Sequence, residues 1–294
     1  MPELSIIIVN YNTREPLRRC LESILATRGE LDVEVIVVDN GSRDDSAAMV
    51  REHFPAGGPL PVAVIEPGYN TWFTGGNNRG LEAAVGEHVL ILNPDTVVQP
   101  GALQALLAYQ RDHPAVGAVT ARQQFPAGGD IPVCSRAPRY PDLLLGYTVL
   151  GMLLAPWRER RRAAMWYAGW DRRSSRPVEV IPDSCLLAPL VLLRRLHGFD
   201  EAFKLYFTED DICRRIGAAG YQVHFVADAL ILHEEHASVS QVQRLASRVY
   251  FDDLIVYARK YYGGPAALLL RALVAPTRWG MDLAQRRRGE RKAL

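Results

Sequence analysis

The first half of the chain alternates short apolar runs with segments in which apolar residues recur at helical spacing. The apolar runs, which are typical of buried strands, cover residues 4–9, 33–38, 62–65, 88–92 and 116–120. After the first run, Leu17, Leu21 and Ile24 recur at the spacing of one helix face. Strands that alternate with helices in this way predict an α/β fold with a mostly parallel, doubly wound sheet.

Three of the predicted strands end in turns that are rich in side-chain oxygen atoms. These turns are Asn10-Tyr11-Asn12, Asp39-Asn40-Gly41-Ser42 and Asn93-Pro94-Asp95. One such turn is ordinary, because Asn, Asp and Pro favour turns for local reasons. Ligands of open α/β sheets bind beyond the carboxyl ends of the strands, so three such turns predict one pocket at that edge. No glycine-rich phosphate loop follows the first strand, which weakens a dinucleotide or P-loop interpretation.

The second half of the chain is less regular. Residues 126–141 are rich in Pro and Gly and predict a loop. Residues 143–156 form an apolar segment that leads into a cluster of arginines. Residues 223–226 and 230–232 predict two short strands, the second of which leads into His233.

Three consecutive carboxylates, Glu209, Asp210 and Asp211, begin a predicted helix. Acidic residues favour the first turn of a helix because they interact well with the helix dipole. A run of carboxylates is also a candidate source of a general base. The residues alone leave both interpretations open.

Composition and charge narrow the class of protein. The 294 residues are 48% hydrophobic and 23% charged, as in ordinary globular proteins. Lys and Arg total 34 against 33 Asp and Glu, so the net charge predicts no nucleic-acid partner. The four cysteines lie far apart without metal-site spacing, which suits buried thiols in a reducing compartment. No secretory signal and no apolar run of membrane-spanning length is evident, so we expect a cytoplasmic protein.

Several stretches, taken together and in order, resemble family 2 glycosyltransferases, most closely the rhamnosyltransferase-like members. They are SIIIVNYN, VIVVDNGSRDDS, NTWFTGGNNRGL, LILNPDT, GFDEAFKLYFTEDDICRR and the segment around His233. The resemblance implies a GT-A fold over residues 1–240, with a nucleotide-sugar half at about 1–122 and an acceptor half at 123–240. Residues 241–294 are then a C-terminal helical extension.

The resemblance also implies a reaction and a cofactor. An inverting enzyme would move a sugar, which we expect to be rhamnose from dTDP-rhamnose, to a cell-surface glycan or a lipid-linked acceptor. Asn93-Pro94-Asp95 occupies the place of the family's Asp-any-Asp motif, so Asp95 is the expected ligand of Mg²⁺ or Mn²⁺. His233 matches the position of a further metal ligand. The alternative for His233 is a strand-end histidine without a ligand role.

The resemblance assigns a dTDP- or UDP-sugar to a set of residues along the strand ends and the glycine-rich stretch. The set is Asn10, Tyr11, Asn12, Asp39, Asn40, Ser42, Gly75, Gly76, Asn77, Asn78, Asn93 and Asp95. Asp39 matches the residue that reads the edge of the pyrimidine base. We expect the glycines to lie in a loop that approaches the nucleotide closely, with a helix beginning at about Asn78. Trp72 departs from the family, which commonly has glycine there, and core packing is its alternative role.

The catalytic base is the harder assignment, because the acidic triplet is shifted relative to the family pattern. One alignment makes Glu209 the base and the other makes Asp210 the base, and we slightly favour Asp210. Asp211 is expected to cap the helix or bind the acceptor. Asp183 and Ser184 are expected to line the sugar or acceptor pocket.

Two alternatives and one further partner follow from the same residues. A non-catalytic member that binds only nucleotide sugar, or a sugar nucleotidyltransferase, would share much of the pattern.

The apolar segments 143–156 and 265–276, each followed by basic residues, favour peripheral contact with the inner face of a membrane. Ordinary core helices with solvated arginines are the alternative.

Overall fold

A computed structural model describes residues 1–234 and 243–291. The strands are β1 Leu4–Asn10, β2 Val33–Asp39, β3 Val62–Ile65, β4 His88–Leu92, β5 Thr96–Val98, β6 Val116–Gln124, β7 Asp130–Ile131, β8 Arg176–Val178, β9 Cys185–Pro189 and β10 Gln222–His233. The helices are α1 Arg14–Thr27, α2 Ser46–His53, α3 Trp72–Ala83, α4 Ala102–Asp112, α5 Tyr140–Tyr147, α6 Leu150–Leu153, α7 Ala155–Met165, α8 Leu190–Arg195, α9 Thr208–Ala218 and α10 Gln243–Arg291.

One mixed sheet runs through the described chain in the order β3-β2-β1-β4-β9-β6-β10-β5, with β7 on β6 and β8 on β10. The first four strands are parallel, and β6 and β10 are also parallel. Strand β9 is antiparallel to both of its neighbours, β4 and β6, and so joins the two parallel groups. A single sheet therefore spans both halves predicted from the sequence, and the α/β fold class is confirmed.

The sheet brings the polar turns together as the sequence predicts. The register of β1 and β2 pairs Asn10 with Asp39, so both strands end level with each other. Strand β4 lies on the other side of β1 and runs in the same direction. The turns after β1, β2 and β4 consequently share one edge of the sheet.

Apolar side chains fill both faces of the sheet. On one face, α1 and α4 pack against β1, β2 and β4 through residues such as Leu21, Leu106 and Leu90. On the other face, α8 and α9 contribute Leu193 and Ile212 to a second cluster. A third cluster joins α5 to the first part of α10 and encloses Phe203 and Phe207 just before α9. The four cysteines are buried and unpaired, as predicted.

The largest local difference from the sequence prediction lies in the glycine-rich stretch. Residues expected in a loop are already helical, because α3 begins at Trp72 rather than near Asn78. Trp72 has a φ of 63°, and its N–H donates to Asn70 Oδ1 at 2.8 Å. A side chain at Gly76 would lie 2.8 Å from Val9 Cγ1, so this glycine allows α3 to pack directly on β1.

Two further features that the sequence did not predict concern β10 and α10. The two short strands predicted after residue 222 form one strand, β10, with an irregularity between Val226 and Leu230. Helix α10 breaks at Gly263, which has a φ of 86° and precedes Pro265. Among the residues that the structure describes, no helix is long and apolar enough to cross a membrane.

Candidate active site

A cavity of about 880 Å³ opens at the polar edge of the sheet. Its volume lies in the upper part of the range that small-molecule sites occupy. Strand-end residues such as Tyr11, Asn40 and Asp95 form one side. The opposite side comes from the segment after β6, from α7 and from the start of α9, which contributes Glu209. All three strand-end turns therefore contribute residues to one cavity.

A network of hydrogen bonds connects the ends of β1 and β2 behind this cavity. Asn10 Nδ2 donates to Asp39 Oδ2 at 3.1 Å and to Ser42 Oγ at 3.0 Å. Asp39 Oδ1 accepts from the Ser42 N–H at 2.7 Å, and the Asn12 N–H donates to Ser42 Oγ at 2.9 Å. Asp39 is only 3% exposed. A carboxylate has about four acceptor sites, so Asp39 keeps acceptor capacity beyond these two bonds.

Tyr11 and Asn40 lie in front of this hydrogen-bond network and line the cavity. Asn40 Nδ2 donates to the Trp72 carbonyl at 2.9 Å, and Asn40 Oδ1 accepts from Thr71 Oγ1 at 2.7 Å. The Asn40 amide thus fixes the start of α3, where Trp72 and Phe73 also line the cavity. Trp72, which departs from the family pattern, therefore lies at the cavity beside Asn40 and is not simply a core residue.

Gly75, Gly76, Asn77 and Asn78 are not brought to the cavity. None of these four residues, all of which the structure describes, is part of its lining. Asn77 Nδ2 bonds back to its own helix at the Phe73 carbonyl, at 2.9 Å. Asn78 bonds the backbone of Phe199 through both its Nδ2 and its Oδ1, at 2.9 and 2.8 Å. Asn78 therefore joins α3 to the segment before α9, whereas Asn77 bonds within its own helix.

Asn93, Pro94 and Asp95 line the cavity next to His233. The Asn93 N–H donates to the Ser184 carbonyl at 3.0 Å, which ties the turn after β4 to β9. His233, the last residue of β10, places its Nε2 atom 3.3 Å from Asp95 Oδ1. Asp95 and His233 are each 7% exposed. Residues 138 positions apart in the chain thus form one polar pair.

The donor set of this pair fits a divalent cation. His233 Nδ1 lies 3.0 Å from Gln123 Oε1, and an amide oxygen can only accept. The ring hydrogen therefore belongs on Nδ1, so the Nε2 lone pair of a neutral ring faces a carboxylate oxygen. In that neutral state Nε2 and Asp95 Oδ1, 3.3 Å apart, would be satisfied by a cation that binds both atoms side by side. Carboxylate and imidazole are ligands that Mn²⁺ and related ions accept.

The pair supplies only part of a coordination shell. Within residues 1–234 and 243–291, no group of three or more His, Cys, Asp or Glu side chains is placed to hold a metal ion. Mg²⁺ and Mn²⁺ sites that act on phosphates commonly use few protein ligands and leave the other positions to water and phosphate oxygens. Asp95 and His233 fit such a site, in which the protein supplies few of the ligands.

Two carboxyl groups and one hydroxyl lie together across the cavity. Thr208 Oγ1 donates to Asp183 Oδ2 and lies 3.2 Å from Glu209 Oε2. Burial raises the pKa of Glu209 above its ordinary value of 4.5. Burial, followed by the charge of Glu209, holds the pKa of Asp183 well above 3.8. Because Thr208 has one hydroxyl hydrogen for two carboxyl groups, the pair favours a state in which it holds an extra proton.

Asp210 follows Glu209 in the chain but lies elsewhere. It is 8% exposed and is not part of the cavity lining. Burial, followed by the charge of Glu209, raises the pKa of Asp210 well above 3.8. Burial and then the charge of Asp210 also raise the pKa of Tyr257 on α10. The Asp210 carboxyl therefore belongs to the packed interface of α9 and α10, whereas the sequence alignment favours it as the base.

Asp211 is fully engaged within the protein. Its carboxylate accepts from Arg215 Nε at 2.7 Å, from Lys260 Nζ at 2.5 Å and from Tyr261 Oη at 2.7 Å. It is 1% exposed. Asp211 thus ties α9 to α10, and the structure does not bring it to the cavity as an acceptor-binding residue. Ser184 does line the cavity, and its hydroxyl accepts from Gln123 Nε2 at 2.9 Å.

The open side of the cavity is formed in part by α7. Arg162 of this helix and Trp166, which follows its last residue, line the cavity, although no residue of α7 is buried. On the facing side, Leu205 and Tyr206 also line it. Their backbone N–H groups donate to Asp253 Oδ2 at 2.9 Å each, and Asp253 is 1% exposed. Sequence analysis gave no role to Asp253 or to Gln123, although a charged residue and an amide inside apolar patterns are signals of specific partners.

A comparison with known proteins agrees with this geometry. The family model described as glycosyl transferase family 2 matches residues 5–151, which is half of the chain. The chain belongs to glycosyl transferase family 2. This assignment confirms the resemblance that the sequence motifs carry. The matched residues include the turns after β1, β2 and β4 that line or support the cavity.

Among curated relatives, the glycosyltransferase is similar to an enzyme named N-acetylglucosaminyl-diphospho-decaprenol L-rhamnosyltransferase from Mycobacterium tuberculosis (strain CDC 1551 / Oshkosh). The two are 29% identical over 254 residues, which are 81% of this chain and 78% of the relative. The chain is accordingly a rhamnosyltransferase-like member of its family. The similarity extends well beyond the 5–151 range of the matched family model.

Among solved structures, the glycosyltransferase is similar to a mannosyltransferase from Pyrobaculum calidifontis in complex with GDP-Man and Mn²⁺. The TM-score is 0.60 at 19% identity, and the match covers 93% of this chain and 69% of that chain. A second similar structure is GalNAc-T7 with UDP, GalNAc and Mn²⁺. Its TM-score is 0.59 at 14% identity, with 79% of this chain and 44% of that chain covered. These likenesses confirm the GT-A fold.

Proposed function

We propose that this glycosyltransferase is an inverting, metal-dependent enzyme that uses a nucleotide-sugar donor. The observation that carries the proposal is that one cavity holds Asp95 and His233 on one side and Glu209 on the other. The first pair suits a divalent cation that would neutralise the charge of a diphosphate, and Glu209 suits the acceptor hydroxyl. Asp95 lies in the expected nucleotide half, at about residues 1–122, whereas His233 and Glu209 lie in the expected acceptor half, at 123–240.

The donor would bind along the strand ends. Tyr11 and Asn40 would contact the base and ribose, with Asp39 behind them as the acceptor for a base N–H. Asp95 and His233 would hold Mg²⁺ or Mn²⁺, and Asn93 would contact the ribose or a metal-bound water. A divalent cation bound there neutralises the charge that develops on the diphosphate as the glycosidic bond breaks.

Glu209 is the better candidate for the general base. A base must reach the acceptor hydroxyl, and Glu209 lines the cavity whereas Asp210 does not. Burial raises the pKa of Glu209, which makes its carboxylate a stronger base than an exposed one. This reverses the preference for Asp210 that the alignment suggested. Asp183 and Ser184 would then lie beside the acceptor, and Asp211 would serve only to join α9 to α10.

We further propose rhamnose as the sugar and a lipid-linked glycan as the acceptor. The mycobacterial relative is named for L-rhamnosyl transfer to N-acetylglucosaminyl-diphospho-decaprenol. The rim of the cavity supports an acceptor of this class. Arg162 lies at the rim and, like Arg160, has no ion-pair partner among the described residues. An unpaired guanidinium suits the phosphate groups of such an acceptor.

The surface next to this rim suits contact with an anionic membrane, which would place the enzyme at the cytoplasmic face. Helices α6 and α7 expose Met152, Leu153 and Trp157 by 74%, 78% and 66%. Arginines of α7 follow directly in the chain. An exposed apolar strip beside basic residues is typical of elements that lie in the membrane interface.

The proposal is tested by a transfer assay. The enzyme is mixed with Mn²⁺, a short-chain N-acetylglucosaminyl diphospho-polyprenol and, in turn, dTDP-rhamnose, UDP-sugars and GDP-sugars. The expected product gains the mass of one deoxyhexose from dTDP-rhamnose, and its anomeric configuration is inverted relative to the donor. Transfer of a different sugar would overturn the rhamnosyl assignment and leave the enzyme class intact. A retained configuration would overturn the inverting mechanism.

A further inference from the structure

Gln123 lies directly behind the pair formed by Asp95 and His233. Its Oε1 atom is 3.0 Å from His233 Nδ1, and its Nε2 atom donates to Ser184 Oγ at 2.9 Å. Gln123 is 1% exposed, so its amide has little access to water. Strand β6 otherwise presents Val119 and Ala121 at the alternate positions before it, and both are fully buried. An amide at the end of an apolar strand face is therefore there to make specific bonds.

The orientation of this amide decides which nitrogen of His233 carries the ring hydrogen. A neutral imidazole has one N–H, and the other nitrogen is an acceptor. With Oε1 towards the ring, Nδ1 carries the hydrogen and Nε2 presents its lone pair beside Asp95 Oδ1. The reverse amide orientation would donate to Nδ1 and move the ring hydrogen to Nε2, where it would block a cation. The structure has the first orientation, with the amide nitrogen donating to Ser184 Oγ and Oε1 facing His233 Nδ1.

We propose that Gln123 is a positioning residue that holds His233 in the Nδ1–H tautomer and thereby presents Nε2, together with Asp95, to a divalent cation. The inference rests on the metal site of the proposed function and adds the residue that prepares it. Partners of this kind fix the tautomer and ring orientation of metal-binding histidines, and their loss commonly lowers metal affinity about 10- to 100-fold.

Burial explains why no other group takes over this role. His233 is 7% exposed, and Gln123 Oε1 accepts at the one ring nitrogen that faces away from Asp95. A leucine at position 123 would leave the Nδ1–H without an acceptor in a poorly hydrated place, which carries a free-energy cost. The ring would then be favoured to turn or to move its hydrogen to Nε2, next to the Asp95 carboxylate.

The first test needs no substitution. The two nitrogens of His233 are observed by ¹⁵N nuclear magnetic resonance in metal-free wild-type enzyme, under alkaline conditions in which imidazole is neutral. The His233→Asn variant identifies the signals. The expected result is a hydrogen on Nδ1. A hydrogen on Nε2 would overturn the proposal.

The second test measures binding of Mn²⁺ alone by electron paramagnetic resonance. Gln123→Leu is expected to weaken binding about 10- to 100-fold. Gln123→Glu is expected to restore most of it, because a carboxylate also accepts from Nδ1–H. Gln124→Leu is the matched control, since Gln124 is the next residue of β6 and bonds Asp130 instead. We expect it to bind Mn²⁺ as the wild type does.

The outcomes separate this inference from the proposed function. If Asp95→Ala abolishes Mn²⁺ binding but Gln123→Leu binds as tightly as the wild type, the role of Gln123 is wrong and the metal site stands. If the wild type binds Mn²⁺ no more tightly than Asp95→Ala does, the metal site itself is wrong and the inference falls with it. Circular dichroism measures whether each variant is folded. If Gln123→Leu does not fold, the tautomer of His233 in the wild-type enzyme alone tests the role of Gln123.

Discussion

Glu209 and Asp210 are consecutive residues on the first turn of α9, yet only Glu209 lines the cavity. Successive residues of a helix point about 100° apart, so one helix start can serve two surroundings. Glu209 lies with Asp183 and Thr208 at the cavity, and Asp210 lies on the side that packs against α10. On the proposed assignment Glu209 is the general base, whereas Asp210 and Asp211 join α9 to α10.

The first prediction concerns the general base. Glu209→Gln is expected to lower kcat about 10²- to 10⁴-fold, because proton removal from the acceptor is lost. Asp210→Asn, the matched control, is expected to lower kcat less than about 10-fold. Steady-state kinetics at saturating donor measure both, and donor binding by Glu209→Gln should be unchanged. Equal losses in the two variants, or a larger loss in Asp210→Asn, would return the base to Asp210.

The second prediction concerns the pH dependence of transfer. A base acts only when it is deprotonated, and burial raises the pKa of Glu209 above its ordinary 4.5. The rate should therefore fall as the pH drops through a value above 4.5, and the residual activity of Glu209→Gln should lack this acid limb. The profile of kcat/KM against pH measures it. An acid limb at the ordinary glutamate value, or one that persists in Glu209→Gln, would argue against this assignment.

The third prediction concerns stability. The pKa of Asp210 is raised by burial, so the folded state holds this proton more tightly than the unfolded chain does. The free energy of unfolding of the wild type should therefore fall relative to Asp210→Asn as the pH rises above 3.8, and the difference should level off above the folded-state pKa. Urea unfolding at several pH values measures it. The exposed Asp228→Asn is the control for loss of a carboxylate as such. A difference that shrinks with rising pH would contradict the raised pKa.

The fourth prediction concerns the membrane. Trp157→Ser should reduce co-sedimentation with anionic phospholipid vesicles several-fold, because Trp157 is exposed beside the arginines of α7. Trp279→Ser tests the second predicted segment in the same way, since Trp279 follows residues 265–276 and is 70% exposed on α10. Binding should also weaken at high salt and with zwitterionic vesicles. A loss in Trp279→Ser alone would assign the contact to α10, and no binding by the wild type would remove it.

The sequence predicts the sheet well because its buried strands are short apolar runs with clear ends. Strands β3 and β4 have the bounds predicted for them. Asn93 and Asp95 could be placed at the cavity for the same reason, since each directly follows or nearly follows a buried strand. The start of α3 was missed because Gly75 and Gly76 favour loops, and only their packing against Val9 shows why a helix tolerates them.

Residues whose roles depend on distant partners could not be predicted. Asp211 is held by Lys260, which is 49 positions away, and nothing local distinguishes it from Glu209. The role proposed for Gln123 depends on its contact with His233, 110 positions later, which the pairing of β6 with β10 brings about. Such contacts are set by the tertiary fold, and the local pattern carries only the weak signal of a polar residue at a buried position.

The most direct test of the account is the binding of dTDP-rhamnose by calorimetry, with Mn²⁺ and then with a chelator, for the wild type and for Asp95→Asn. The account predicts binding that requires Mn²⁺ and weakens at least about 10-fold in Asp95→Asn, because a neutral amide is a poorer ligand for a divalent cation. Binding that is equally tight with the chelator, or unchanged in Asp95→Asn, would contradict the metal-assisted mechanism.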